Sequence, residues 1–123
     1  MCKVLLPIKP VYAYQILNGK KKFEYRKRKF KRENVESIVI YATSPVKKII
    51  GEVQLKQVIE DTPYHIWEAT HEYGGIDKND YDEYFKDKTI AVAYGLGTIH
   101  PYREEKELAD IDIDYYPQSY VYL

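Results

Sequence analysis

Thr89-Ile90-Ala91-Val92-Ala93-Tyr94-Gly95-Leu96-Gly97-Thr98-Ile99 sets large side chains (Ile90, Val92, Tyr94, Leu96) alternately with alanine and glycine. A period of two is the period of a β-strand. The large side suits a core, and the small side lets another part of the molecule come close to the backbone. This is the pattern of a barrel strand, and the rest of the chain is read around it.

Upstream, Ile49–Ile59 is expected as a strand with Gly51 as a bulge or kink, and Ser37–Tyr41 is a β-branched run closed by Ala42-Thr43-Ser44-Pro45. Lys22-Phe23-Glu24-Tyr25-Arg26 alternates polar with aromatic, and Lys3–Ile8 is short and apolar; both are expected as strands. Between these two, Pro10 opens a helix with Ala13, Ile16 and Leu17 on one face, closed by Asn18-Gly19 with glycine taking the left-handed conformation. Two more helices are marked by their caps: Thr62 before Pro63, ending at Gly74-Gly75, and Asp77 before a stretch whose Tyr81, Tyr84 and Phe85 share a buried face. Downstream, His100-Pro101 reads as a turn, Asp110, Asp112 and Asp114 as an exposed edge or loop, and Tyr116–Leu123 as a final strand. Trp67 reads as a core anchor, with base stacking as its rival role. The expected fold is a single α+β domain over residues 1–123, a small mixed β-barrel of five or six strands with flanking helices.

Composition narrows the chemistry. Cys2 is the only cysteine and His65, His71 and His100 are scattered, so neither an internal disulfide nor a metal site is expected, and no cofactor is implied. The aspartates at 110, 112 and 114 lack the glycine and terminal glutamate of a calcium loop. The apolar run at the start is too short for a signal peptide or a spanning helix, so no membrane role and a cytoplasmic setting are expected. Net charge is zero, yet residues 1–59 carry 14 − 4 = +10 and residues 60–123 carry 5 − 15 = −10. Such asymmetry fits a basic face for a polyanion, or two halves that pair their charges across the fold. The 14 tyrosines can fill a core or stack on bases.

The basic charge peaks in Gly19–Arg32, where nine Lys and Arg surround Glu24. A solvated face is the plain reading of such a run. Against it, Gly19 marks a helix exit where phosphate can approach backbone amides and lysines. Alternation also puts Lys22, Glu24 and Arg26 on one strand face and Phe23 and Tyr25 on the other. A glutamate between cations can orient them, or accept from a base amino group.

Gly19-Lys20-Lys21-Lys22-Phe23-Glu24-Tyr25-Arg26 matches Gly-x-Lys-x-x-Glu-x-Arg in every fixed position. With Ile40–Val46, Ile50–Val53 and Pro117–Tyr120, the chain resembles the ASCH domains of the PUA-like superfamily along nearly its whole length. The resemblance implies a PUA-like β-barrel with a cleft, and the expected function is a binding module that holds RNA or a modified nucleotide there. Lys21, Glu24 and Arg26 would line that cleft, Thr43 and Ser44 would supply hydroxyls from the opposite lip, and Gln118 and Ser119 would close it. Apart from the resemblance, the basic run itself is expected to add phosphate contacts from Lys20, Lys27 and Lys29. Lys21 and Glu24 differ in strand parity, so both reach one cleft only if the chain bends near Lys22. An enzymatic branch of the same family is similar to amidohydrolases acting on N-acetylated cytidine. That branch pairs the motif lysine with a threonine, where this chain has Glu24, and with a glutamate just after a helix, where this chain has Gly74 and Gly75 with Glu72 nearest. Were the chain an enzyme of this kind or a metal-independent ribonuclease, Lys21 would serve as nucleophile or base and Glu24 in acid–base roles.

Overall fold

A computed structural model describes residues 2–123. Its strands are β1 (Cys2–Ile8), β2 (Phe23–Arg26), β3 (Val35–Ala42), β4 (Lys48–Asp61), β5 (Ala91–Lys106) and β6 (Val121–Tyr122). Its helices are α1 (Pro10–Leu17), α2 (Pro63–Thr70) and α3 (Lys78–Tyr84). The strands form one mixed sheet in the order β2-β5-β4-β3-β1-β6, antiparallel except for the β1–β3 pair. The hydrogen-bonded ring expected of a barrel is not closed, because β2 and β6 each keep a free edge. The sheet nevertheless curls: Arg26 on β2 donates to the Pro7 carbonyl on β1 at 2.8 Å, although β2 and β1 stand near opposite ends of the strand order.

β5 carries out the alternation its sequence displays. Val92 and Tyr94 enter the central core with Val4, Leu6, Ile38, Ile40 and Val53. Ala91 and Ala93 face the other way, where α2 and α3 bring Ile66, Tyr81 and Phe85 against them together with Tyr25 from β2. Alanine leaves room for those rings, and the Tyr25–Tyr81 pair packs edge to face at 5.1 Å. Ile90 departs from the expectation: it precedes the strand and is exposed. Further along, the side chains of Gln57 and Gln54 lie over Gly95 and Gly97.

The helix caps and the Gly19 exit hold, whereas α2 ends at Thr70, ahead of the expected Gly74-Gly75, and a 3₁₀ turn (His71–Tyr73) carries the chain to Gly74. Thr62 accepts from the His65 amide at 3.2 Å and Asp77 from the Asp80 amide at 2.8 Å, each capping its helix. Gly19 follows α1 at φ +83. α1 sinks Ala13 and Ile16 into the central core, and its Leu17 lies against Gly51. Gly51 is where the β4 register shifts. A Cβ there would stand 2.8 Å from the His100 carbonyl oxygen and 3.0 Å from the Pro101 Cα, both backbone. Gly51→Ala is therefore expected to cost about 2 kcal/mol by overpacking, read as a lowered denaturant midpoint with unchanged slope.

Two expectations are corrected. His100-Pro101 is no turn, since β5 runs through both residues and pairs them with Glu52 and Gly51. Beyond Gly95 the outer side of β5 has no strand partner, because β2 ends its pairing there, and a proline is tolerated on such an edge. The tail forms only a two-residue strand on β1 rather than a long one. The aspartates at 110, 112 and 114 are exposed as expected, and of the two alternatives they take the loop: Asp110 lies within a 3₁₀ turn (Leu108–Ile111), and Asp112 and Asp114 follow it. Leu108 and Ile113 are buried there with Leu5, Val39, Tyr41 and Ile49, closing the outer face of β1 and β3. Trp67 is partly buried against Tyr81, with centroids 4.8 Å apart, and stacks on His71 at 5.2 Å. No described helix is long and apolar enough to cross a membrane.

Candidate functional site

The chain bends where the parity of Lys21 and Glu24 required it. The Lys21 amide bonds to the Gln15 carbonyl and the Lys22 amide to the Tyr73 carbonyl, so β2 pairing starts only at Phe23. From Phe23 the strand alternates: Phe23 and Tyr25 pack on α2 and α3, while Glu24 and Arg26 turn toward a cavity of about 750 Å³. Lys21, Glu24, Arg26, Thr43 and Gln118 all line this cavity. Thr43 is carried there by the parallel β1–β3 register, which sets Ile8 beside Ala42 and lets the Thr43 amide bond to the Ile8 carbonyl. Buried Pro117 lines the same wall as Gln118.

Charge inside the cavity is tightly held. Lys21 is 3% and Glu24 6% exposed. Arg26 donates from Nε and a terminal nitrogen to one oxygen of Glu24, at 3.1 and 2.7 Å. The other oxygen, Oε1, faces the Lys21 ammonium at 3.7 Å, beyond hydrogen-bond range. Lys21 Nζ donates to the Gly74 carbonyl and stands 5.2 and 4.9 Å from the ring centroids of Tyr12 and Tyr25. An ammonium has three donors, and Gly74 takes one; donor capacity is left for a ligand, as is acceptor capacity on Glu24 Oε1. Burial lowers the Lys21 pKa, the Glu24 carboxylate works against that shift, and the Arg26 charge adds to it.

Glycine makes this arrangement possible. A Cβ at Gly74 would overlap the Tyr25 hydroxyl, which bonds to Thr70 Oγ1 at 2.8 Å. Gly75, at φ +68, packs on the Lys21 side chain. The glutamate that the amidohydrolase resemblance calls for after the helix has no counterpart here: Glu72 is exposed and does not line the cavity, and the Gly74 carbonyl meets the lysine instead.

Other expected residues lie elsewhere. Lys20, Ser44 and Ser119 are exposed and outside the cavity lining, while Lys27 and Lys29 line a second cleft. Sequence reasoning missed Tyr12, Lys9, Asp80 and Glu83, and it assigned Tyr84 to the buried face of α3. Tyr81 and Phe85 are buried there, but Tyr84 is half-exposed and turns into the cavity. Burial raises the pKa of both Tyr12 and Tyr84, so both stay neutral donors near neutral pH. The lining charges cancel: Lys9, Lys21 and Arg26 against Glu24, Asp80 and Glu83 give 3 − 3 = 0. Among the described residues no group of three His, Cys, Asp or Glu could hold a metal ion.

Residues 6–100 match the ASCH domain family. The large ribosomal subunit protein uL22 of Ureaplasma parvum serovar 3 is 31% identical over 86 residues, 70% of this chain but 28% of that protein. The chain thus spans little more than a quarter of that relative's length. An ASCH domain-containing ribonuclease of Zymomonas mobilis subsp. mobilis is 29% identical over 101 residues, 82% of this chain and 68% of its own. The crystal structure of ASCH from Zymomonas mobilis superposes with a TM-score of 0.90 at 28% identity, covering 98% of this chain and 87% of that one.

Proposed function

This chain belongs to the ASCH domain family, and on that premise we propose that it is an RNA-binding module whose cavity receives one unstacked nucleobase. The observation that carries the reading is the buried pair formed by Lys21 Nζ and Glu24 Oε1, a free donor beside a free acceptor in a cavity of zero net charge. Every nucleobase offers an adjacent acceptor and donor on its pairing edge. Single-stranded RNA is recognised by splaying bases out, bonding those edges and stacking the rings on aromatic side chains. Tyr12 and Tyr84 supply rings at the cavity wall, and Thr43 and Gln118 supply neutral hydrogen-bonding groups. Arg26 is the positioning residue, since both of its bonds to Glu24 end on the same oxygen and leave the other free.

A second reading, hydrolysis in the same cavity, is favoured by the lowered pKa of Lys21 and by the ribonuclease name of one relative. The immediate surroundings of Lys21 weigh against it. A carbonyl and a carboxylate both face Nζ and favour the ammonium, which donates but cannot accept a proton.

The test is calorimetric titration of the purified protein with the four nucleosides, their 5′-monophosphates and inorganic phosphate, beside mass spectrometry of nucleotides retained on purification. A neutral cavity is expected to bind a preferred nucleoside within about threefold of its monophosphate, because the phosphate adds little where lining charges cancel. Binding of inorganic phosphate in competition with nucleosides, or no binding of any nucleoside or RNA, would sink the reading.

A further inference from the structure

A cavity without net charge leaves the phosphates of an RNA strand unaccounted for. The second cleft, about 670 Å³, is of the opposite kind. Lys27, Arg28, Lys29, Lys31, Arg32 and Lys56 face it, against Glu33 and Glu60, for 6 − 2 = +4. The ion pairs leave most of that charge available: among the described residues only Lys29 of these cations pairs, with Glu60 at 3.5 Å, both of them exposed. Hence the opposite charges of the two halves of the chain do not neutralise each other at this surface.

The two concavities meet at one ridge. Lys27 lines the cleft, Tyr84 lines the cavity, and the Lys27 ammonium stands 4.6 Å over the Tyr84 ring. Arg26 and Lys27 are neighbours in the chain, one serving each side. The cleft is shaped by ordered groups rather than by loose lysines: the Phe30 ring stacks on Tyr94 at 4.5 Å, and the Phe30 amide donates to the Tyr94 hydroxyl at 2.8 Å. Those contacts fix the path of the Lys27–Arg32 loop across β5.

We propose that this cleft is a phosphate track for single-stranded RNA, running from the base cavity over the Lys27–Tyr84 ridge between the Lys27–Arg32 loop and Lys56 of β4. The proposal rests on the RNA reading of the cavity and divides recognition in two, the neutral cavity reading a base and the basic cleft holding the backbone on one side of it. A strand is favoured over an acidic protein because the track starts at a cavity of nucleobase chemistry.

The test compares wild type with the triple variant Arg28→Gln/Lys31→Gln/Lys56→Gln, all three positions being exposed and glutamine removing the charge while keeping a polar side chain. The probes are the preferred nucleoside and a mixed-sequence eight-nucleotide RNA, titrated from low to high salt, with an eight-residue polyglutamate as competitor. Each phosphate contact on a single strand contributes about 0.7 to the slope of log affinity against log salt, so the variant's slope is expected to fall by about two. Extrapolated to a 1 M reference, that is a roughly hundredfold loss for the RNA at 0.1 M salt, with nucleoside affinity unchanged. An unchanged salt slope and octamer affinity in the variant would remove the track while leaving the cavity reading intact. Polyglutamate competing as well as RNA would overturn the track in favour of an acidic protein partner. If wild type binds neither nucleoside nor RNA, the cavity reading falls and takes the track with it.

Discussion

Glu24→Ala is expected to lower stability by about 3 kcal/mol, because removing one member of a buried ion group leaves its partners charged and unpaired. Two cations share that carboxylate: Lys21, itself buried, and Arg26, partly exposed and still bonded to the Pro7 carbonyl. At this chain length the loss corresponds to a melting temperature about 10 °C lower. The deficit should also depend on pH, with a sign set by Lys21. Its folded pKa already lies below 10.5, and Glu24 is the interaction that raises it, so the variant's folded pKa is lower still. A buried lysine of depressed pKa costs stability most when both folded and unfolded states are protonated. That cost fades as pH rises through the folded value toward 10.5. The gap between wild type and variant should therefore be widest near neutral pH and narrow on the alkaline side. Glu24→Gln keeps the shape and one acceptor for Arg26 and should lose about half as much. A gap that stays constant from pH 7 to 10 in chemical denaturation would show that Lys21 does not feel Glu24.

The features that could be read in advance are those whose cause is local. Thr62 and Asp77 cap their helices by reaching amides three residues on, and Gly19 ends α1 because glycine costs nothing at φ +83. The period of two in β5 was legible because both of its sides are packed, one by the core and one by α2 and α3. Alternation put Glu24 and Arg26 on one strand face, whereas their place in the cleft, with that of Lys21, Thr43 and Gln118, came through the family resemblance. What stayed hidden depends on distant partners. The strand through His100-Pro101 is decided by β2 stopping at Gly95, and closure of the sheet is decided by edges that no short window reports. Gly74 lies 53 positions from Lys21 and acts through its carbonyl, which every residue carries, so no side chain advertised it. Tyr84 was read as core because spacing tells which residues share a helix face, not whether that face meets a wall or a cavity. Ser44 and Ser119 fell outside for a related reason: the Thr43–Val46 turn and the tail after Pro117 each present a single residue, Thr43 or Gln118, to the cavity.

Replacing Lys21 should separate a reader of RNA from an enzyme. In the reading proposed here Lys21 is a buried donor, and its loss in Lys21→Met is expected to weaken nucleoside affinity about a hundredfold, since a site built to bond a polar ligand edge rejects it once a partner is missing. Lys21→Arg keeps a charge and several donors but not the geometry, so it should retain part of the affinity. A guanidinium is also bulkier than the ammonium now between Tyr12 and Tyr25, and some stability should go with it. If instead the cavity catalyses, Lys21 must give up its proton to attack or abstract, as its lowered pKa would help it do. Arginine is not deprotonated at working pH, so Lys21→Arg would then lose about 10³-fold in turnover while binding stayed measurable. The assay follows cleavage of short RNA and hydrolysis of N-acetylated cytidine by wild type and both variants, with affinity measured on the same preparations. No wild-type turnover, with affinity falling from wild type to arginine to methionine, is the expected result. Turnover by wild type that vanishes in Lys21→Arg would make the cavity an active site and Lys21 its catalytic residue.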